Sequence, residues 1–198
     1  MPQPTAICVY CGSNTGRHPE FAEQARAFGA EMARRDITLI YGGGKVGLMG
    51  VVADAVLAGG GKAIGVIPRQ LVELEAAHPH LSELVVVETM HQRKTRMYQL
   101  SHAFVALPGG FGTMDEMFEM LTWAQLGLHR CPCAFLDVCG YYRDLRAMMG
   151  HMVDEAFVRT EQRDSVWFGD DITALFEWMQ DYEGDYSSKW IDPSSVSA

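Results

Sequence analysis

Short apolar runs alternate with longer segments of helical periodicity along most of the chain. The apolar runs predict strands at residues 6–10, 37–41, 62–67, 84–87, 103–107, 132–136 and 165–168. Helical patterns occupy residues 19–35, 48–58, 91–102, 113–126, 141–156 and 172–182. This alternation predicts an α/β fold, a single Rossmann-like doubly wound, mostly parallel sheet with helices on both faces.

Length and composition predict one domain over residues 1–182. The chain has 198 residues, of which 48% are hydrophobic, and this is enough to bury one core. We see no internal repeat and no linker in this range. Residues 183–198 are polar and rich in serine, so we expect a poorly ordered C-terminal tail.

The acidic net charge of the chain argues against nucleic-acid and membrane partners. The formal net charge is -9 and the pI is near 5.2, whereas a nucleic-acid or anionic membrane surface needs clustered Lys and Arg. No apolar run approaches the roughly 18 residues that span a bilayer, and the first residues lack the pattern of a secretory leader. With five cysteines, an odd number, we expect a cytoplasmic protein with free thiols that binds neither nucleic acid nor membrane.

Three glycine-containing loops directly follow predicted strands. They are residues 11–14, 42–44 and 108–110, after the first, second and fifth apolar runs. In open parallel sheets, ligands bind beyond the carboxyl ends of the strands, near the point where strand order reverses. We therefore expect the three loops to converge on one crevice.

The segment from Pro108 to Glu116 ends a strand and begins a helix. Its glycines allow close approach of a ligand, and the N–H groups of the new helix favour an anion because the helix dipole lies behind them. This predicts a binding loop for a small phosphate ester. Glu116, about one turn into the helix, is a candidate catalytic acid; it could also complete a capping box with Thr113 as the N-cap residue.

Arg93, Lys94 and Arg96 open the helix that precedes the fifth strand. They could form an ordinary solvated face. However, the dipole disfavours a cation at the start of a helix, so Arg93 favours a compensating anionic ligand or carboxylate nearby.

One glycine motif is a weak argument for a dinucleotide cofactor. Gly42, Gly44 and Gly47 have the spacing of a dinucleotide fingerprint, but the next strand ends in Pro68-Arg69 instead of the acidic residue that would hold the ribose. We therefore expect no nicotinamide cofactor.

A metal site is not expected either. Cys8 and Cys11 stand three positions apart on and just after a strand, so their thiols point to opposite faces. We expect His78 and His80 to lie in a solvated loop. Methionines 114, 117 and 120 are typical of core packing.

Taken in order, Gly42-Gly43-Gly44, residues 90–94 and residues 108–116 resemble the Lonely guy (LOG) family of cytokinin-activating enzymes. The similarity runs from about Ala6 to Tyr182 and includes residues 122–127 and Gly140-Tyr141-Tyr142. It implies hydrolysis of the N-glycosidic bond of a nucleoside 5′-monophosphate to a free base and ribose 5-phosphate, without a metal or organic cofactor. It also implies a homodimer.

The resemblance assigns the family's catalytic arginine and glutamate to Arg93 and Glu116. It assigns substrate contacts to Arg93, Glu75, Lys94, Gly110, Phe111, Gly112, Thr113, Met114, Asp115 and Thr122. Ser13, Gly43 and Gly109 complete the predicted substrate-binding set because they lie in the loops at the strand ends.

Two alternatives remain at this point. The first is a general nucleosidase that accepts AMP and other purine monophosphates. The second, of another class, is a noncatalytic carrier of a nucleotide or of a cofactor such as the molybdenum cofactor. The presence of both Arg93 and Glu116 argues against a pure binding protein.

Overall fold

The computed structural model describes residues 4–72 and 77–184. Its seven strands form one parallel sheet in the order β4-β3-β2-β1-β5-β6-β7. The strands are β1 (Ala6–Tyr10), β2 (Thr38–Tyr41), β3 (Ala63–Pro68), β4 (Glu83–Val87), β5 (Ala103–Ala106), β6 (Cys133–Leu136) and β7 (Val166–Gly169). All seven strands were predicted, with ends that differ by one residue at most.

The helices lie between the strands. They are α1 (Pro19–Arg34), α2 (Gly47–Ala58), α3 (Met90–Gln99), α4 (Phe111–Gln125), α5 (Arg143–Asp154), α6 (Thr160–Asp164) and α7 (Ile172–Asp181), with two short 3-10 turns at Arg69–Leu71 and Val138–Gly140. The sequence did not predict α6, because five polar residues carry no helical period. Its start depends on the Gln162 side chain, whose Oε1 accepts a hydrogen bond from the Arg159 N–H at 3.1 Å.

The core has two parts, one on each face of the sheet. Ile7 and Val9 of β1 pack on one face with side chains of α1, α2 and α7, whereas Cys8 and Tyr10 pack on the other with side chains of α3, α4 and α5. This alternation follows from the two-residue period of a strand. It confirms the doubly wound α/β fold. Met117 and Met120 are buried in the second part, as predicted.

The order of the strands reverses at β1, which has β2 on one side and β5 on the other. Cys8 is in register with Ile40 of β2, and Tyr10 with Ala106 of β5. The carboxyl ends of these three strands are therefore neighbours, and this edge is where doubly wound proteins bind ligands.

All five cysteines are free thiols. Cys8 belongs to the core part next to α3 and α4, whereas Cys11 packs against the opposite part, so the predicted opposite orientation is confirmed. Over residues 4–72 and 77–184, no helix is long and apolar enough to cross a membrane. The predicted tail, apart from Glu183 and Gly184, lies outside the described residues.

Candidate active site

Backbone hydrogen bonds join the three loops at the strand ends. The N–H of Gly12 donates to the Pro108 carbonyl at 3.0 Å, and the N–H of Leu48, at the start of α2, donates to the Gly12 carbonyl at 3.0 Å. The loop after β1 therefore lies between the loops after β2 and β5. This is the convergence that the sequence predicted.

A cavity of about 230 Å³ lies where the loops after β1 and β5 meet. Ser13, Gly109 and Gly110 line it, together with Leu48 and Tyr141. A Cβ atom added at Gly110 would meet no atom within 4 Å, so this position faces open space. The cavity is next to the N-terminus of α4, which provides backbone N–H groups for an anion.

Helix α4 begins earlier than the sequence suggested. Its N-cap residue is Gly110, and the first intrahelical bond runs from the Met114 N–H to the Gly110 carbonyl at 3.2 Å. The N–H groups of residues 111–113 precede that bond and are the ones that face a ligand in a helix-terminal anion site. Phe111 is 96% exposed at this end.

The capping-box interpretation of Thr113 is therefore wrong. Thr113 is the third residue of α4 and is buried, with its Oγ1 packed where a side chain at Gly109 would lie. The cause is Gly110, which takes the N-cap position without a side-chain hydrogen bond. Glu116 lies in the second turn of the helix, where capping does not explain a carboxylate.

Arg93 comes from the first turn of α3. Thr89 caps this helix, because its side chain accepts a hydrogen bond from the Gln92 N–H at 3.1 Å. The Arg93 side chain is buried, and its Nη2 donates to the Gly42 carbonyl at 3.2 Å. A Cβ atom at Gly42 would overlap with Nη2. Gly42 is thus required at this position to leave room for the guanidinium.

The charges of Arg93 and Glu116 both act on β1. Burial is the main reason that the pKa of the Cys8 thiol lies well above its ordinary range; the Glu116 charge raises it further and the Arg93 charge lowers it. After burial, Glu116 also raises the pKa of Cys11. Both ionic side chains are therefore within electrostatic reach of the middle of β1, and Glu116 also of the loop that follows it. Arg93 lies beside the loop after β2 and Glu116 in the second turn of α4, and neither side chain lines the cavity at the loops after β1 and β5.

Lys94 turns toward the neighbouring helix. Its Nζ lies 2.8 Å from Asp115 Oδ2 and 3.5 Å from Glu119 Oε2 of α4. Burial lowers the pKa of Lys94, but the two carboxylates outweigh this and hold it above its ordinary value. Lys94 therefore stays protonated and links α3 to α4. Substrate contact by Lys94 and Asp115 stays a prediction.

Thr122 does not reach the cavity within one chain. It is eleven residues after the start of α4, which places it about 16 Å along the helix axis. Its Oγ1 donates to the Phe118 carbonyl at 2.7 Å, and it lines a separate apolar cavity of about 190 Å³ with Met149 and Val166. Met114, also predicted to contact substrate, packs half-buried against the core.

The loop after β2 is held on its other side by His78. Gly43 has a φ of +81°, and its carbonyl accepts a hydrogen bond from the His78 N–H at 2.9 Å. The expected solvated loop is wrong for His78, which is buried with Nε2 3.0 Å from Asp54 Oδ1. Its Nδ1 accepts from the His80 N–H, so the proton is on Nε2 and is donated to Asp54. Glu75 lies outside the described residues.

Sequence reasoning assigned no role to Tyr141, which lines the cavity. The signal was present in the Gly140-Tyr141-Tyr142 motif, but its distance along the chain from the glycine loops hid the contact. Among the described residues, no group of three or more His, Cys, Asp or Glu side chains could hold a metal ion.

Comparison with known proteins places the chain in a family. Residues 49–179 match the family model described as "Possible lysine decarboxylase". The chain is 43% identical over 180 residues to the cytokinin riboside 5′-monophosphate phosphoribohydrolase LOG7 of Arabidopsis thaliana, covering 91% of this chain and 83% of the relative. It is 46% identical over 166 residues to the cytokinin riboside 5′-monophosphate phosphoribohydrolase of Rhodococcoides fascians, covering 83% and 84%.

Solved structures show the same fold at low sequence identity. The molybdenum cofactor binding protein from the phototrophic bacterium Rippkaea orientalis matches with a TM-score of 0.67 and 20% identity, over 91% of this chain and 98% of that one. The molybdenum cofactor carrier protein of Chlamydomonas reinhardtii matches with a TM-score of 0.67 and 17% identity, over 89% and 96%. At these identities the likeness concerns the fold alone. The family match and the two relatives above 40% identity establish that this chain belongs to the Lonely guy (LOG) family.

Proposed function

We propose that the protein is an N-glycosyl hydrolase that cleaves N6-substituted adenosine 5′-monophosphates to the free base, a cytokinin, and ribose 5-phosphate. The observation that carries the proposal is the glycine-lined cavity beside the start of α4, the helix that carries Glu116, with Arg93 held at the neighbouring loop after β2. The names of the two relatives point to the same reaction.

The 5′-phosphate binds at the start of α4 in this proposal. Backbone N–H groups of residues 110–113, at the positive end of the helix dipole, hold its oxygens, and Ser13 and Gly110 line the space that it occupies. Fixing the phosphate orients the ribose toward β1. Binding energy from this nonreacting group positions the glycosidic bond, so unphosphorylated nucleosides react poorly.

Glu116 and Arg93 act on the reacting bond. Cleavage of a ribosyl bond passes through an oxocarbenium-like transition state, which the Glu116 carboxylate stabilises while it aligns or deprotonates the attacking water. Arg93, held by the Gly42 carbonyl, binds the substrate or polarises the departing base. The bond is broken by hydrolysis, so the reaction needs only water as a co-reactant and no cofactor is proposed.

We also propose a homodimer. Thr122 is predicted to contact substrate, yet it lies about 16 Å along α4 from the cavity of its own chain. A second chain that places its α4 against the first would bring Thr122 to the neighbouring site. The five free thiols agree with a cytoplasmic location, where cysteines stay reduced.

The test is release of base from N6-isopentenyl-AMP and from AMP, measured side by side. The two unphosphorylated nucleosides serve as controls, and the Glu116→Gln variant is the blank. A strong preference for the prenylated monophosphate supports the proposal, whereas equal rates identify a general purine mononucleotide nucleosidase. If neither nucleotide is cleaved while both bind, the protein is a nucleotide carrier.

A further inference from the structure

Three consecutive carbonyl groups of the turn between β5 and α4 are each held by a separate donor. The Tyr142 hydroxyl donates to the Leu107 carbonyl at 2.6 Å, and the Gly12 N–H donates to the Pro108 carbonyl at 3.0 Å. The Tyr141 hydroxyl donates to the Gly109 carbonyl at 2.5 Å. The tyrosines come from the loop between β6 and α5, so a distant part of the chain fixes the conformation of this turn.

Holding a carbonyl also fixes the N–H group that follows it. A trans peptide is planar, and its C=O and N–H groups point in opposite directions. With the Gly109 carbonyl directed at Tyr141, the Gly110 N–H has one direction, and Gly110 is the N-cap residue that lines the cavity. Two glycines in succession would otherwise leave this peptide free to rotate.

Tyr141 is itself held in place by aromatic contacts. Its ring meets Phe21 of α1 edge-on, with centroids 5.7 Å apart, and Tyr142 edge-on at 4.9 Å. Such edge-to-face pairs are favourable and fix the plane of the ring. The side chain nevertheless remains 45% exposed at the cavity. The hydroxyl of Tyr141 therefore contributes mainly to the cavity wall and less to the buried core.

We propose that Tyr141 is a positioning residue of the phosphate site. Its hydroxyl orients the Gly109–Gly110 peptide for the anion, and it thereby sets the preference of the protein for phosphorylated over unphosphorylated nucleosides. This rests on the proposed function for the identity of the ligand. Tyr142 is anchored deeper, at the end of β5, where it holds the strand in place and not the cavity wall.

The test is Tyr141→Phe, which keeps both ring contacts and removes only the hydroxyl. Tyr98→Phe is the matched control, because Tyr98 also donates its hydroxyl to a backbone carbonyl, that of Leu128 at 3.3 Å. Dissociation constants for AMP, ribose 5-phosphate and adenosine are measured by isothermal titration calorimetry, then kcat and KM for N6-isopentenyl-AMP, and thermal midpoints for all variants.

Tyr141→Phe is expected to weaken the binding of AMP and of ribose 5-phosphate about five- to tenfold, which is the effect of one lost hydrogen bond. Adenosine affinity stays unchanged, and KM rises more than kcat falls. The proposal would be overturned if Tyr141→Phe weakened the binding of AMP and adenosine equally, or weakened the binding of neither. It would also be overturned by a larger loss of thermal stability than in Tyr98→Phe. So would a wild-type protein that binds none of the three. Wild-type protein that binds AMP without cleaving any nucleotide refutes only the proposed function, since the affinities still test Tyr141.

Discussion

The Arg93 guanidinium occupies the space that a side chain at Gly42 would fill, with Nη2 3.2 Å from the Gly42 carbonyl oxygen. The two residues are 51 positions apart in the chain. Gly42 was noticed in the sequence as part of a glycine loop and Arg93 as a cation at a helix start. The structure shows that the absence of a side chain at the first makes room for the second.

Gly42→Ala is predicted to displace Arg93 and to reduce kcat/KM for the nucleotide on the order of 100-fold, because small misplacements of catalytic groups have large effects on rate. Steady-state base release measures the effect. Gly150→Ala is the matched control, since a Cβ atom there meets nothing within 4 Å. Full activity in Gly42→Ala would show that the position of Arg93 does not matter for turnover.

Glu116→Gln is predicted to lower kcat by between about 100- and 10,000-fold, the range associated with a positioned acid or base. The affinity for AMP should change little, because the phosphate is held by backbone groups at the start of α4. Single-turnover base release and calorimetry separate the two quantities. Glu177→Gln, the same change on the exposed side of α7, controls for a loss of charge. Activity retained by Glu116→Gln would remove Glu116 from the mechanism.

Gly110→Val is predicted to weaken phosphate binding without unfolding the domain. A Cβ atom at Gly110, which lines the cavity, would meet no protein atom within 4 Å. The loss of one or more hydrogen bonds to a charged phosphate should weaken the binding of AMP about 10- to 100-fold. Calorimetry and a thermal melt measure both effects, and Gly110→Ala should lie between wild type and Gly110→Val. Unchanged AMP affinity would contradict the placement of the phosphate.

Glu31→Gln is predicted to destabilise the protein at neutral pH but not in strong acid. Hydrogen bonds from Arg34 and Arg35 lower the pKa of Glu31 to about 2, although partial burial opposes this. The unfolded chain has the ordinary, higher value, so the contribution of Glu31 is complete above about pH 4.5. It is lost as the pH falls through about 2.

The expected loss in the free energy of unfolding at pH 7 is about 1 kcal/mol, because Arg34 is exposed and solvent screens its pairing with Glu31. This corresponds to a shift of roughly 2–4 °C in Tm. Thermal melts of wild type and Glu31→Gln between pH 2 and pH 7 measure it. A difference in Tm that does not shrink toward low pH would show that Glu31 acts through packing instead of charge.

Local patterns in the amino-acid sequence predict the order of strands and helices and the position of the glycine loops. Apolar runs such as residues 6–10 and 103–107 and the helical spacing of Phe28 and Met32 are local patterns, because each follows from the period of one element. The motif from Pro108 to Glu116 is also local, since its glycines and its helix are continuous in the chain. This is why the proposed phosphate loop and the candidate acid could be predicted without a structure.

Tertiary structure decided what meets at that loop. It buried His78 and turned Lys94 toward Asp115. It brought Tyr141 to Gly109 and left Thr122 remote from the cavity. The reason is the reversal of strand order at β1. Contacts across 32 and 51 positions of the chain depend on which strands become neighbours, and no period within a single element encodes that order.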